Sequence, residues 1–597
     1  MEAIEKPTLI YKKGGSFLIE ETKPEEIFAP EDLNEQHKLI AETTKDFVES
    51  EVMPNIEKLE QLDYDLTVKL LRKAGDIGLL SVDIPEEYGG LGLDKTSSLL
   101  VAENLGKTGS FAVSHGAHAC IGTLPIVYFG TEGQKKKYLP KFATGELISS
   151  YSLSEPGSGS DALSAKTTAT LSPDGKSYIL NGSKMWLSNA GFADVYIIFA
   201  QVDGNKFTSF ILEKNFEGIS LGKEEKKMGI KGSSTRALNL DDVQVPVENV
   251  VGEIGKGHRV ALNILNIGRF KLGASVIGAA KSVITEAVKY AKTRKQFNTP
   301  IISFGLIKHK LGEMAIRTFA GESMVYRTAG LIDSILQNID KRIHDAAALA
   351  LKGIEEYAVE CSIIKVYASE ILSYVVDEGV QIFGGYGFTE EYPVARPYRD
   401  SRINRIFEGT NEINRLLIPQ MLIRRAVKGE LPLMAAAQKL TDDLISPSSG
   451  EQVYEGLLAD EMALASNAKK AGLLVAGAAF QKYMDKLEHE QEVIWRISDI
   501  AMEAYAMESV LLRVRKMQIK NGKDISLYVD IARSFSYEAI ERIESYAKAA
   551  LAVICEGDML RTYLTALRKL LKYSPINSAY IRRSVTDRLA EADRYSL

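Results

Sequence analysis

The stretch of this chain with the clearest chemical potential runs from residue 405 to residue 413 and reads RIFEGTNEI. It places Glu408 after two apolar residues and before a glycine. A carboxylate in apolar surroundings loses water, so its pKa rises and it becomes a base near neutral pH. Gly409 has no side chain, so a ligand can approach the backbone closely there. The sequence therefore predicts a base at Glu408, although for an isolated motif a capped helix with a solvated glutamate is the commoner explanation.

The residues after Glu408 have the signals of a helix N-terminus. Thr410 or Asn411 can cap the helix. Apolar residues follow at helical spacing: Ile413, Leu416 and Leu417. The first turn of a helix carries backbone N–H groups without partners inside the helix, and these can donate to a ligand oxygen. The sequence thus predicts oxygen-binding donors next to the base.

A second motif, residues 157–162, reads GSGSDA and matches the dinucleotide fingerprint G-x-G-x-x-A. Pro156 precedes it, and the strand-like segment 166–171 follows where a helix should begin, so we reject a dinucleotide-binding fold here. Two interpretations remain. The segment is either a turn that enters a β domain, or a flexible loop whose N–H and hydroxyl groups bind a polar ligand.

Two further motifs suit a large ligand. Trp186 and Ser188 lie two residues apart on a predicted strand and should share a face, although core packing is the commoner role of a lone tryptophan. The segment 381–388, QIFGGYGF, holds more glycines than one helix C-cap requires. We expect the backbone there to approach a phosphate or a neighbouring subunit closely.

Composition excludes several classes of protein. The net charge of −6 gives no overall attraction to nucleic acid. His115 and His118 lack the Glu or Cys partners of a zinc site, so we expect core or pocket-lining histidines and no metal. Three cysteines, far apart and odd in number, argue against disulfides and fit a reducing compartment.

No run of about 18 apolar residues predicts a membrane span. The first residues, MEAIEK, include acids and lack an apolar signal core. We therefore expect a cytoplasmic protein.

Hydrophobic periodicity divides the 597 residues into four regions. We predict a mainly helical α+β protein with grouped strands, which argues against a doubly wound nucleotide fold. The predicted domains are an N-terminal helical domain at 28–148, a β-barrel or sandwich at 149–253, a helical bundle carrying the base at 254–430, and an additional helical domain at 433–597. Pro432 and residues 446–450, SPSSG, predict a linker between the last two.

The order of the motifs resembles the acyl-CoA dehydrogenases, and most closely their very-long-chain branch, which has an added C-terminal helical domain. Five segments carry the resemblance: 151–161 (YSLSEPGSGSD), 184–189 (KMWLSN), 294–297 (RKQF), 381–385 (QIFGG) and 407–411 (FEGTN). Residues 264–270, ILNIGRF, are similar to the very-long-chain branch in particular. The resemblance extends from about residue 35 to 428, and beyond Pro432 it rests on length and helical character.

The resemblance implies a reaction of fatty acid β-oxidation. A base removes a proton from Cα of an acyl-CoA thioester, FAD accepts a hydride from Cβ, and a trans-2-enoyl-CoA forms. Glu408 is implied as the base. Its backbone N–H and a ribityl hydroxyl of FAD are implied as donors that stabilise the enolate oxygen. Electron-transferring flavoprotein is implied as the electron acceptor.

The resemblance also assigns binding residues. FAD contacts within the chain are implied for Tyr151, Leu153, Ser154, Gly159, Ser160, Trp186, Ser188, Thr410 and Glu412. Contacts to the FAD of the partner in a homodimer are implied for Arg294, Gln296, Phe297, Gln381, Gly384 and Gly385. Acyl-CoA contacts are implied for Ser160, Asn266, Arg269, Phe407 and Gly409. Two positions depart from the family pattern, since Ser154 stands where threonine is more frequent and Glu412 stands where the family varies.

Two hypotheses concern substrate and location. The segment 114–119, SHGAHA, falls near the implied floor of the acyl tunnel, and its small residues leave volume for a long chain. Residues 433–480 include a small and apolar run at 471–480, which suggests a peripheral contact with a membrane.

Two alternative functions stay open beside the dehydrogenase. One is an acyl-CoA oxidase, although the chain ends in RYSL and not in a peroxisomal Ser-Lys-Leu. The other is a flavoprotein scaffold without catalysis, against which the presence of Glu408 argues.

Overall fold

The computed structural model describes residues 12–340, 346–445, 454–521 and 524–597. Capped helices form its N-terminal domain. The helices are α1 Glu35–Phe47, α2 Ile56–Glu60, α3 Tyr64–Asp76, α4 Lys95–Leu105, α5 Ser110–Gly116, α6 Leu124–Phe129 and α7 Glu132–Thr144. Side chains of Asn34, Asp63, Asp94 and Thr131 accept first-turn N–H groups and fix where their helices begin. Between α5 and α6 the chain widens into a π-helical turn at Ala117–Gly122.

The middle domain is a β domain, as predicted, and its strands form one eight-stranded sheet. Its strands are β1 Ser149–Ser152, β2 Thr168–Leu171, β3 Ser177–Ser188, β4 Val195–Val202, β5 Lys206–Glu213, β6 Ile219–Leu221, β7 Thr235–Pro246 and β8 Val250–Val251. Their order is β6-β7-β3-β2-β4-β5-β8, with β1 parallel to β4. The segment 157–162 leads to β2 rather than to an α-helix, so the rejection of a dinucleotide fold is confirmed.

Strand β4 shows how this sheet joins the helices. Tyr196 and Ile198 point into the core of the β domain, whereas Ile197 and Phe199 alternate to the other face and pack with the helical core. Burial on both faces explains why the strand reads as a continuous apolar run.

Long helices form the rest of the molecule. The third domain contains α8 Gly257–Thr293, α9 Gly305–Leu336, α10 Ala346–Glu356, α11 Ala358–Phe383, α12 Ala395–Ser401 and α13 Asn411–Val427, with a hairpin of β9 Lys295–Gln296 and β10 Thr299–Pro300 after α8. The C-terminal helices are α14 Leu433–Ile445, α15 Ala459–Tyr483, α16 Gln491–Asn521, α17 Ser526–Ile554, α18 Gly557–Leu570 and α19 Ser578–Ala592. The predicted linker at 446–450 lies outside the described residues.

Helix α8 is the central element of the third domain. By length and composition it is the one helix among the described residues that could cross a membrane, but 78% of its most apolar window is buried inside the protein. Its apolar character is therefore that of a core helix.

Buried ion pairs attach the C-terminal helices to the third domain. Arg415 on α13 donates from Nε to Asp499 on α16 at 2.7 Å, and Arg327 on α9 pairs with Glu508 at 2.8 Å. The helical spacing of Leu473, Ala476, Phe480, Tyr483 and Leu487 predicts one buried face, which is wrong for all of them except Leu487. Helix α15 instead buries Leu474, Val475, Ala478 and Ala479. The cause is that α14, α16, α17 and α18 all pack on α15.

Candidate active site

Glu408 occupies a strained turn at the start of α13. It has a φ of 60°, and Gly409 follows with a φ of 79°. A non-glycine residue in this region costs roughly 1–2 kcal/mol, so its neighbours must hold it there. Asn414 Nδ2 donates to the carbonyl oxygens of Gly409 at 2.9 Å and Thr410 at 3.0 Å. The turn aims the Glu408 side chain back at α8.

The carboxyl group of Glu408 is buried with one oxygen free. Among the described residues, Oε2 has no hydrogen-bond partner. A Cβ placed on Gly268 of α8 would lie 2.6 Å from this oxygen, so the space for the carboxylate depends on glycine. Burial raises the pKa of Glu408 to about 7, and the positive charges of Arg269 and Lys365 act in the opposite direction. The group therefore exchanges a proton near neutral pH, as the sequence predicts.

Arg269 and Asn266 support the backbone of this turn. Arg269 Nε donates to the carbonyl oxygen of Glu408 at 3.0 Å, and its Nη1 donates to Asn266 Oδ1 at 2.9 Å. Both side chains are buried. They lie beside the base, and their predicted contact with acyl-CoA stays a prediction.

Lys365 is a functional residue that the sequence interpretation missed. Its fully buried Nζ donates to the carbonyl oxygen of Gly409 at 2.6 Å and to Asn411 Oδ1 at 2.8 Å. Burial lowers the pKa of Lys365 to about 7. The amino group beside Glu408 is therefore only partly protonated at neutral pH. The signal was present as a single lysine in the apolar run CSIIKV of residues 361–366.

A cavity of about 280 Å³ opens from Glu408 along α8. One face of α8 lines it at helical spacing: Gly268, Leu272, Val276, Ala279, Val283 and Glu286. His115, Gly116, Ala117 and Ala119 of the predicted tunnel segment lie on its wall. Phe407 and Ser188 reach the same cavity, so the β domain and the base meet there.

The two histidines of that segment are structural, as expected. His115 Nε2 bonds the carbonyl oxygen of Leu79 at 3.0 Å, and His118 Nε2 bonds that of Phe142 at 3.0 Å. Burial lowers the pKa of His115 to about 3 and of His118 to about 4, so both are neutral. The described residues hold no group of side chains suited to a metal ion, and all three cysteines are free and buried.

The predicted ligand loop of the β domain lies open beside a bulge in β3. The pairing of β3 with β7 shifts between Lys184 and Leu187, and Trp186 adopts a φ of 61° with 56% of its surface exposed. The strict strand alternation predicted for Trp186 and Ser188 is therefore interrupted by the bulge. Met185 N donates to the carbonyl oxygen of Ser154 at 2.9 Å, which ties the two motifs together.

Two other predicted motifs form an exposed surface away from Glu408. The Arg294 guanidinium lies 5.3 Å from the ring centre of Tyr386, and Tyr290 stacks on Phe383 at 3.9 Å. Phe297 is 91% exposed. This surface also contains Gln296, Gln381, Gly384 and Gly385, all exposed. At 1.5 Å per residue, Arg294 is roughly 39 Å along α8 from Gly268, so the surface does not join the base within one chain.

Two residues are predicted as the cap of the helix after Glu408, and the structure selects one of them. Thr410 Oγ1 accepts from Ile413 N at 3.2 Å and is the cap, whereas Asn411 is buried and bonds Lys365. Glu412 is exposed in the first turn, where a carboxylate complements the helix dipole.

Comparisons with known proteins agree with this geometry. Family descriptions of acyl-CoA dehydrogenase match as an N-terminal domain at 34–146, a middle domain at 150–243 and C-terminal domains at 255–423 and 467–569. The chain belongs to the acyl-CoA dehydrogenase family. A probable acyl-CoA dehydrogenase of Bacillus subtilis is 51% identical over 98% of this chain and 99% of its own. The human mitochondrial very long-chain specific acyl-CoA dehydrogenase is 36% identical over 83% of this chain and 77% of its own. The crystal structure of an acyl-CoA dehydrogenase complexed with FAD from Bacillus anthracis superposes with a TM-score of 0.96 at 51% identity, covering 98% of this chain and 100% of that one.

Acyl-CoA dehydrogenases depend on FAD, and the residues of this chain fit it. The hydroxyl of Tyr151 and Oγ of Ser152 are buried, and within the described residues neither has a hydrogen-bond partner. Nothing lies within 4 Å of a Cβ placed on Gly157 or Gly159. Leu153, Ser154 and Ser160 lie on the same stretch of chain, next to exposed Trp186. Open backbone, unpaired hydroxyls and an aromatic plane together match a large, flat, polar-edged cofactor.

Proposed function

We propose that this protein catalyses the α,β-dehydrogenation of long-chain acyl-CoA to trans-2-enoyl-CoA in fatty acid β-oxidation and passes the electrons to electron-transferring flavoprotein. The observation that carries the proposal is the buried carboxylate of Glu408, which has a free oxygen on the wall of a largely apolar cavity.

The chain's own residues account for the proton transfer. With a pKa near 7, Glu408 is substantially ionised at neutral pH yet basic enough to accept the proton on Cα of a thioester. Its unpartnered oxygen is free for that proton. Arg269 and Lys365 hold the turn, so the carboxylate meets the substrate without reorganising. FAD, when bound, supplies the hydride acceptor.

The cavity length supports long acyl chains. Its lining on α8 extends from Gly268 to Glu286, roughly 27 Å at 1.5 Å per residue. A bilayer core of about 30 Å holds two layers of acyl chains, so one long chain needs about 15 Å. The small residues Ala117 and Ala119 keep the wall back from this space.

The exposed surface around Arg294 supports the proposal of a homodimer. Its aromatic and glycine-rich residues lie too far from Glu408 to serve the same active site, and exposed Phe297 is suited to a partner. In the dimer this surface, including Gln296, Gln381, Gly384 and Gly385, contacts the FAD of the other subunit. We also propose a cytoplasmic location. The apolar run at 471–480, which suggests a membrane contact for residues 433–480, buries Leu474, Val475, Ala478 and Ala479 against other helices, so such a contact would use side chains of this segment that remain exposed. Sedimentation of the holoprotein should give a dimer, and the F297D variant should sediment as a monomer with less bound flavin.

Anaerobic titration with acyl-CoAs of graded length tests the reaction. Flavin absorbance should bleach with palmitoyl-CoA at least as fast as with octanoyl-CoA. E408Q should bind FAD yet reduce it about 10²- to 10⁴-fold more slowly, which is the contribution of a positioned base. The matched control E217Q changes an exposed glutamate of the β domain and should react like the parent.

The remaining outcomes separate the alternatives. Hydrogen peroxide in equal amount to the enoyl product, with no reoxidation by electron-transferring flavoprotein, would make the protein an oxidase. A holoprotein that no acyl-CoA bleaches would be a scaffold. Unchanged reduction by E408Q would remove the base from the mechanism.

A further inference from the structure

A cluster of buried charges lies on the wall of the acyl cavity and takes no part in the proton transfer. Asp83 Oδ2 accepts from Ser98 Oγ at 2.7 Å and from Lys271 Nζ at 2.6 Å, and Oδ1 accepts from Lys95 Nζ. Asp83, Ser98 and Lys271 all line the cavity. A saturated acyl chain offers nothing to such groups, so their presence needs an explanation.

The charges of this cluster do not cancel. Two ammonium groups share one carboxylate, and within the described residues no other carboxylate pairs with Lys95 or Lys271. Two carboxylates lie near the cluster, but Asp333 accepts from the backbone N–H groups of Lys95 and Thr96, and within the described residues neither Asp333 nor Glu408 forms an ion pair with either lysine. His115 is neutral, and burial raises the pKa of the Cys120 thiol to about 12. One positive charge therefore stays uncompensated beside the cavity, where an unpaired charge is costly.

Lys271 is the group that presents this charge to a ligand. Its side chain is 15% exposed, whereas those of Lys95 and Asp83 are 6% and 3% exposed. An ammonium group has three N–H donors. In the described part of the chain, Nζ of Lys271 donates a hydrogen bond to Asp83 alone. Donors remain for an oxygen atom inside the cavity.

The position on α8 shows which part of a substrate the cluster meets. Lys271 is three residues beyond Gly268, roughly 4.5 Å further along the helix. Gly268 packs on the carboxylate that takes the Cα proton. The cluster therefore lies beside carbons beyond the reacting Cα–Cβ bond.

We infer that Lys271, fixed by Asp83 and Ser98, forms a polar subsite that favours acyl groups carrying a hydroxyl or carbonyl oxygen on the chain over saturated groups of the same length. The inference rests on the proposed function and names its substrate class. A site with a buried donor discriminates strongly against an analogue that lacks the oxygen, because the donor is then left unpaired.

Substrates of equal chain length, with and without a hydroxyl group, test the polar subsite in the holoenzyme. Dodecanoyl-CoA is compared with a series of hydroxydodecanoyl-CoAs that carry the hydroxyl at successive carbons from C5 to the chain end. In the wild type, kcat/KM at one or two adjacent positions should exceed that of dodecanoyl-CoA by about 10-fold. K271M should bring this ratio to about one, and K271R should retain most of it. K256M, at the exposed start of α8, should retain the full ratio.

The results of this experiment distinguish a wrong polar subsite from a wrong proposed function. If dodecanoyl-CoA bleaches the flavin but no hydroxylated analogue is preferred, the dehydrogenase stands and the polar subsite is wrong. A preference that K271M leaves intact also overturns it. If K271M does not fold, the wild-type series and K271R still decide, since a flat series refutes the subsite without any variant. If no acyl-CoA bleaches the flavin, the proposed function fails first and takes the subsite with it.

Discussion

Two buried carboxylates line the same cavity and behave in opposite ways. Asp83 accepts from Lys95, Ser98 and Lys271, and the two ammonium groups hold its pKa well below the usual range against the effect of burial. Glu408 has one oxygen without a partner, and burial raises its pKa to about 7. Both side chains contact α8 within one turn of each other, through Lys271 and Gly268. The difference lies in the donors supplied to each carboxylate.

The donors around a buried carboxylate decide whether it can act as a base. Burial alone acts on both groups in the same direction. At Asp83 lysines point at the carboxylate, whereas at Glu408 the cations Arg269 and Lys365 bond backbone carbonyl oxygens instead. Their charges still lower the pKa of Glu408, but they leave its Oε2 free. A fixed ion pair and a proton acceptor thus differ by where two side chains direct their N–H groups.

Removing the charge of Asp83 should have the largest effect. D83N leaves two ammonium groups buried without a counter-charge, and breaking a buried pair of this kind costs about 3–5 kcal/mol. Because the folded-state pKa of Asp83 lies below its unfolded value of about 3.9, the stabilisation is present at any pH above that value and is lost only as the pH falls through the folded pKa. Urea denaturation of the holoprotein at pH 7 measures the loss.

The matched control for D83N is D203N. Asp203 pairs with Lys206 at 2.7 Å on an exposed turn, so the same substitution should leave the urea midpoint unchanged. If D83N and D203N unfold at the same urea concentration, Asp83 is not a structural ion pair and the contrast with Glu408 disappears.

Substituting Gly268 should weaken the base although Glu408 itself is unchanged. In G268A the new Cβ would lie 2.6 Å from Oε2 of Glu408, so the carboxylate must move. Misplacing a reacting group by about 1 Å can cost 10²-fold, and we expect kcat to fall by about that factor with little change in flavin content. Stopped-flow reduction with palmitoyl-CoA measures it. The control G133A, on exposed helix α7 with no close neighbour, should react normally, and equal rates for both variants would contradict the packing role.

Of the two carboxylates, only Glu408 can be predicted from the sequence. Glu408, its helix and the grouped strands follow from local signals: an apolar flank, a cap and period-two alternation. Asp83 carries no such signal, since its partners Lys95 and Lys271 lie 12 and 188 residues away. The positive φ of Glu408 and the bulge at Trp186 are set by tertiary contacts, which no local pattern records.

The C-terminal helices show the same limit. The helical spacing of Ile494, Ile497, Ala501, Ala504 and Tyr505 on α16 predicts burial, and all five are buried. Every residue from 497 to 514 is buried as well, because α9, α13, α15 and α17 surround this helix. On α15 the small residues permit close packing on several sides, so periodicity does not select the buried face. Periodicity therefore does not select a buried face on a helix that several neighbours surround, and its success on α16 follows from burial on all sides.

The smallest expected effect concerns the charge of Lys365. Glu408 must be deprotonated to act, so kcat/KM of the wild type should fall as the pH is lowered through about 7. Lys365 lowers the pKa of Glu408, so K365M should shift this acid limb to higher pH, by up to about one unit, which is about 1.4 kcal/mol. K365R retains a cation and should keep the limb near its original position.

The pH profile separates this charge effect from loss of structure. K365M also removes the hydrogen bond to Gly409, which by itself would lower kcat at every pH without moving the limb. If K365M and K365R lose activity equally and neither profile shifts, Lys365 only supports the turn. A shift in K365M alone would show that a cation directed at the backbone tunes the base while leaving its proton-accepting oxygen free.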